Sequence, residues 1–196
     1  MEGNQVEIVS AIIGGFLAAG TGWLLQHRLE SGRLKRTKQL LLLGITDDLA
    51  NSIELYDRIT EDWEKSKIVW FNLLNELSES RHVYTNNKDW ITLIEDEQLR
   101  KDILQYYRKS ANHLLLLQNS QQRKYDIQGR YNSLVQEFRL QHPQVELDAA
   151  QKQVATNMSI ESEELASLDK QLPELVSGLS RFRSNAKSML ESLKSE

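Results

Sequence analysis

Arg108 and His113, with four residues between them, form the pattern in this sequence that could carry chemistry. A histidine can act as a general acid or base. An arginine can stabilise the negative charge that develops on a reacting phosphate. The pair therefore fits cleavage of a phosphodiester without a metal. A helix would set the two side chains about 140° apart. The alternative is that His113 is a boundary residue of a helical bundle and Arg108 a solvated charge.

Other common chemistries have no signature in the sequence. It contains no Walker loop, no glycine-rich dinucleotide turn, no zinc-protease motif and no calcium loop. Acidic clusters at 61–64, 95–97 and 161–164 lie near predicted helix starts, where the helix dipole favours them. No histidine accompanies them at ligand spacing. The chain also has no cysteine, so disulfides and thiolate sites are excluded. We therefore predict no metal site and no cofactor, and the sequence indicates no small-molecule substrate.

The composition predicts an all-α fold. The 196 residues are 40% hydrophobic and 27% charged, which suits one domain with a modest core. Leu, Glu, Gln, Lys and Arg are frequent and favour helices over strands. No sustained alternation of apolar and polar residues occurs, so we expect a bundle of four or five helices. The net charge of −4 argues against general nucleic-acid binding.

The apolar spacing places the helices of this bundle. One helical stripe runs from about Leu40 to Ile59, and residues 84–89 resemble a loop. The stretch 99–138 predicts one long helix, or two broken near Gly129, ending before Pro143. Residues 145–158 indicate a short helix. A last helix should reach residue 193, with a break or kink at Pro173.

The N-terminal part predicts a membrane anchor. Residues 8–25 carry no charge and would span about 27 Å as a helix. Basic residues follow this run and none precede it, which predicts an outside N-terminus and a cytoplasmic C-terminal domain at the inner membrane. The proposed segments are an anchor at 1–27, a basic collar at 28–39 and a cytoplasmic helical bundle at 40–196. A cleaved signal peptide and a buried core helix are the alternatives. The collar residues expected to contact lipid headgroups are Arg28, Arg33, Lys35 and Arg36.

Small residues recur every four positions within the predicted anchor. Such ladders let helices approach closely in lipid, which indicates self-association of several copies. The residues of this ladder are Ser10, Gly14, Ala18 and Gly22.

The spacing from Arg108 to His113 resembles the R-x4–6-H motif of HEPN domains. Members of that family are helical and cleave RNA without a metal. A single N-terminal span, a basic collar and a small helical domain together resemble the membrane accessory proteins of type VI CRISPR systems. That resemblance implies a homo-oligomeric ring or pore-like effector in anti-phage defence, with RNA or a CRISPR effector as possible partner. The alternatives are a membrane-tethered HEPN-like ribonuclease using Arg108 and His113, and a structural adaptor that docks a soluble partner.

Overall fold

A computed structural model describes the backbone of residues 3–194 and the side chains of residues 29–194. This part of the chain forms six α-helices and one 3-10 helix, more than the predicted four or five helices, and it contains no strand, so the predicted all-α class is confirmed. The elements in chain order are α1 (Gly3–Ser66), α2 (Phe71–Glu79), α3 (His82–Asn86), a 3-10 helix (Lys88–Leu93), α4 (Glu97–Gln141), α5 (Leu147–Asn157) and α6 (Ser159–Leu193).

The first helix is continuous over 64 residues. Its C-terminal half buries Ile45, Leu49, Tyr56 and Ile59, whose spacings of four, seven and three residues keep them on one face. The helix ends where Lys67 adopts a left-handed backbone with φ of 57°. This conformation turns the chain out of the helix without the glycine that usually allows it.

The predicted membrane localisation is corrected by the structure. Among the described residues, no helix is long and apolar enough to cross a membrane. The described start of α1 exposes Arg33, Lys35 and Arg36, and charges of this kind are costly within hydrocarbon. This finding overturns the prediction of a single-pass inner-membrane protein. The apolar run at 8–25 lies outside the described side chains, as do its ladder and the first collar residue: Ser10, Gly14, Ala18, Gly22 and Arg28.

Helices α4 and α6 form a long antiparallel pair. Asp96 caps α4 by accepting hydrogen bonds at Oδ1 from the backbone N–H groups of Gln98 (2.8 Å) and Leu99 (3.0 Å). The helix runs without interruption past Gly129 and ends just before Pro143, as one of the two predictions had it. Further along the pair, ion pairs link Arg123 to Glu164 (2.6 Å), Lys124 to Asp169 (2.6 Å) and Arg130 to Glu161 (3.0 Å).

The predicted break at Pro173 is wrong, because α6 continues through this residue. Proline removes one backbone N–H and normally interrupts a helix. Leu168, Leu172 and Leu175 are buried on both sides of Pro173. Their packing stabilises the helical path across the missing hydrogen bond.

The core follows the long helices in three clusters. The first joins α1, α2, α4 and α6 around Tyr56, Leu74 and Leu117. The second packs α1, the 3-10 helix, α4 and α6 around Ile45 and Ile103. The third is small and lies at the far end of α4, where α5 buries Ala150 and Val154.

The stretch 84–89, predicted as a loop, contains the end of α3 and the start of the 3-10 helix. Its local sequence is polar, yet α1 holds it in place. The Asp48 carboxylate accepts a hydrogen bond from the Tyr84 backbone N–H at 3.1 Å. Val83 packs so closely on Gly44 that a Cβ there would lie 2.5 Å from a Val83 methyl carbon. These long-range contacts, absent from the local sequence pattern, order the segment.

Candidate functional site

An open cleft of about 950 Å³ lies beside the first half of α4, facing the turn between α2 and α3. We call it the α4 cleft. Four cationic side chains and one carboxylate are among the residues that line it, so its charge is opposite to that of the whole chain. These charged residues are Arg81, Lys88, Lys101, Arg108 and Asp102.

Arg81 is the most unusual residue of the cleft. It occupies the short turn between α2 and α3, and only 7% of its surface is exposed. Its Nη2 atom is buried and has no hydrogen-bond partner among the described residues. An unpaired buried polar group carries a penalty of about 1–3 kcal/mol, and more when it is charged. Such a guanidinium is well suited to bind an anion.

Tyr107 supplies a second unpaired group to the same cleft. The residue is 2% exposed, and its hydroxyl has no hydrogen-bond partner within the described part of the chain. Burial raises the pKa of this hydroxyl well above its usual value; the charge of Asp48 raises it further, and that of Arg81 opposes the rise. The hydroxyl therefore keeps its proton at neutral pH and can donate a hydrogen bond to an anion.

Contacts with α1 and α4 support the floor of the cleft, which Arg81, Tyr84 and Tyr107 form. The Tyr84 ring stacks on the Tyr107 ring with centroids 4.0 Å apart and planes 3° apart. At the turn that carries Arg81, the Ser52 and Ser80 hydroxyl oxygens lie 3.1 Å apart. Burial raises the pKa of Asp48, while the hydrogen bond from the Tyr84 N–H partly opposes that rise. These contacts position the residues that carry the two unpaired donors.

The rim of the cleft is formed by the exposed cations Lys88, Lys101 and Arg108. Lys88 places its ammonium 5.8 Å from the centre of the Tyr84 ring. Lys101 pairs with Glu97 at 2.7 Å, one helical turn away. Exposed pairs of this kind contribute little, so Lys101 can exchange its partner for a ligand. Arg108 lies seven residues after Lys101, which places the two about 10 Å apart on the same face of α4.

The predicted pair Arg108 and His113 is divided between two environments. Arg108 is exposed on the wall of the α4 cleft. His113 is half-buried against α6, with Nε2 2.7 Å from the Leu175 carbonyl oxygen and its ring centre 5.0 Å from that of Phe182. His113 does not line the cleft. One chain does not bring the two side chains together, and catalysis by this pair stays a prediction.

Most of the cleft could not be predicted from the sequence. No motif distinguishes Arg81, Lys88, Lys101 or Tyr107 from the other residues of their types. The sequence does hold one indication of the cleft: Lys101 and Arg108 are two helical turns apart, which predicts two cations on one face of the helix. The described part of the chain contains no group of three or more potential metal-ligating side chains.

Comparison with protein-family models, curated proteins and solved structures gives no significant match to this chain. The resemblance to HEPN domains and to type VI CRISPR accessory proteins therefore stays a prediction.

Proposed function

We propose that this chain is a helical binding module whose α4 cleft holds an anionic, phosphate-bearing ligand. The observation that carries the proposal is the buried Arg81 guanidinium with an unpaired Nη2 atom, in a cleft that Tyr107, whose hydroxyl is also unpaired, lines as well. Both groups can donate a hydrogen bond, and neither has a partner among the described residues. A ligand rich in acceptor oxygens would therefore suit them.

The charge pattern around these two donors also supports a phosphate. Lys88, Lys101 and Arg108 surround the opening, and arginine in particular matches the paired oxygens of phosphate. A neutral ligand would leave the excess of cationic over acidic side chains in the lining unbalanced. This proposal makes the adaptor hypothesis more specific: the cleft would recognise a phosphate group on the partner.

Calorimetric titration of inorganic pyrophosphate into the full chain tests this function. We expect saturable binding that weakens by about tenfold in a Lys101→Gln, Arg108→Gln double variant, because each of these exposed cations makes a solvent-screened contact worth about threefold. Both positions are exposed, so the variant should fold normally. Arg139→Gln is the matched control, since this exposed arginine lies far along α4 and should leave binding unchanged. No saturable heat, or equal affinity in the double variant, would contradict the proposal.

A further inference from the structure

We propose that the α4 cleft selects a terminal phosphate, as in a phosphate monoester or the end of an oligophosphate chain, over the phosphodiester of a continuous backbone. This inference rests on the proposed function and narrows its ligand class. The reason lies in the depth at which the unpaired donors are found.

The donors at the floor are nearly closed off from solvent. Arg81 and Tyr107 are 7% and 2% exposed, and the Nη2 and hydroxyl atoms themselves are buried. A phosphodiester carries a sugar on each side, so it meets a surface along its flank. A terminal phosphate is substituted on one side only, so its oxygens can approach recessed donors first.

The charge and acceptor count favour the same ligand. A phosphate monoester carries a charge of about −1.5 to −2 at neutral pH and presents three acceptor oxygens. A phosphodiester carries one negative charge and has two free oxygens. The buried guanidinium of Arg81 and the protonated hydroxyl of Tyr107 can each donate to a separate oxygen of a terminal group.

The cations of the rim would contact the part of the ligand next to its terminal phosphate. Lys101 and Arg108 lie about 10 Å apart along α4, and Lys88 lies on the facing wall. Three cations at the opening can neutralise one or two further phosphates. The Asp102 carboxylate also lines the cleft and already accepts a hydrogen bond from Gln98 Nε2 at 3.0 Å. That fixed negative charge would repel a long polyanion laid along the helix.

The test compares two otherwise identical RNA oligonucleotides with the full chain. Both are ten nucleotides long and carry a 3′ fluorescent label, and one has a 5′-monophosphate where the other has a 5′-hydroxyl. By fluorescence anisotropy we expect about tenfold tighter binding of the 5′-phosphorylated strand, the difference that one charged hydrogen bond makes. Unlabelled pyrophosphate should displace that strand, and Arg139→Gln should behave as the wild type.

Variants separate the floor from the rim. Arg81→Lys keeps the charge but loses the second donor nitrogen, so the preference for the 5′-phosphate should fall. The Lys101→Gln, Arg108→Gln variant, which leaves the buried residues intact, should weaken binding of the phosphorylated strand about tenfold.

The failures of the two proposals can be told apart. Equal affinity for the two strands, together with weaker binding in the rim variant, would overturn selection of a terminal phosphate and leave the proposed function standing. Absence of binding by pyrophosphate and by both strands would overturn the proposed function as well. Displacement of the strand by pyrophosphate would show that a free oligophosphate is enough to occupy the cleft. Binding of the 5′-phosphorylated strand without such displacement would show that it is not enough.

Discussion

Arg81 shows why the residues of this site could not be predicted from the sequence. Between Ser80 and His82 it looks like a surface arginine in a polar turn. Its burial is produced by α1 and α4, which are distant in sequence and enclose the turn through Asp48 and Tyr107. Periodicity reports which face of a helix is apolar, but it does not report which partner covers a turn.

Asp48 gives a prediction at the same scale. Burial raises its pKa, so between the ordinary aspartate pKa and the raised one the folded state binds more protons than the unfolded state. Stability should therefore fall as pH rises through that window. We expect Asp48→Asn to remove this part of the pH dependence, measured as the free energy of unfolding in urea from pH 4 to pH 7.

Two variants control for other effects at Asp48. His82 Nδ1 lies 4.0 Å from the Asp48 carboxylate, so the same series in His82→Gln isolates the contribution of the carboxyl group. Relative to Asp48→Asn, Asp48→Ala should cost about 1–3 kcal/mol at every pH, because alanine leaves the Tyr84 N–H unpaired and asparagine does not. An unchanged pH profile in Asp48→Asn would show that Asp48 titrates normally in the folded state.

At the scale of elements, His113 explains how α4 approaches α6. Its ring packs over Gly178, where an added Cβ would lie 2.7 Å from His113 Cε1. The hydrogen bond to the Leu175 carbonyl oxygen fixes the ring there. His113 therefore lies at the boundary of the bundle, which was the alternative to a catalytic role.

The contact between Gly178 and His113 predicts a strong coupling of two substitutions. Glycine to alanine within a helix normally stabilises by about 1 kcal/mol. We expect Gly178→Ala to destabilise the wild type instead, since the new methyl group displaces His113 and breaks its hydrogen bond. In a His113→Ala background the same substitution should stabilise. A double-mutant cycle from urea unfolding measures the difference, and additive effects would contradict the contact.

The elements were predicted best where the local sequence decides them. The end of α4 just before Pro143 follows from the proline, and α5 agrees with the short helix predicted at 145–158. Pro173 and the stretch 84–89 do not, because packing against α4 and α1 overrides the local preference there. The continuous helix α4 past Gly129 has the same cause, since Ile127 and Val135 are buried on either side.

At the scale of the whole molecule, the cleft and the distal end are separate. The cleft involves α4 up to Ala111, whereas the third core cluster begins near Tyr131. About 30 Å of helix lies between them. The all-α class was accessible from composition, but the cleft was not, because a net charge of −4 conceals a local cluster of cations.

This separation predicts that damage to the distal end spares binding. Val154 is 4% exposed in the small cluster under α5, so Val154→Asp would bury an unpaired charge and release that helix. Hydrogen exchange should become faster in α5 and the end of α4, while the affinity for pyrophosphate should stay within about twofold of the wild type. Loss of binding in this variant would mean that the two ends are coupled.

The central claim is that the unpaired guanidinium of Arg81 receives a phosphate group. NMR of arginine side-chain nitrogens in the full chain tests it most directly, with the Arg81 signal assigned from Arg81→Lys. On titration with pyrophosphate we predict a saturable shift of the Arg81 signal. The signal of Arg58, which pairs with Glu76 at 3.3 Å outside the cleft, should remain in place. An Arg81 signal that does not move while pyrophosphate binding reaches saturation would contradict the account.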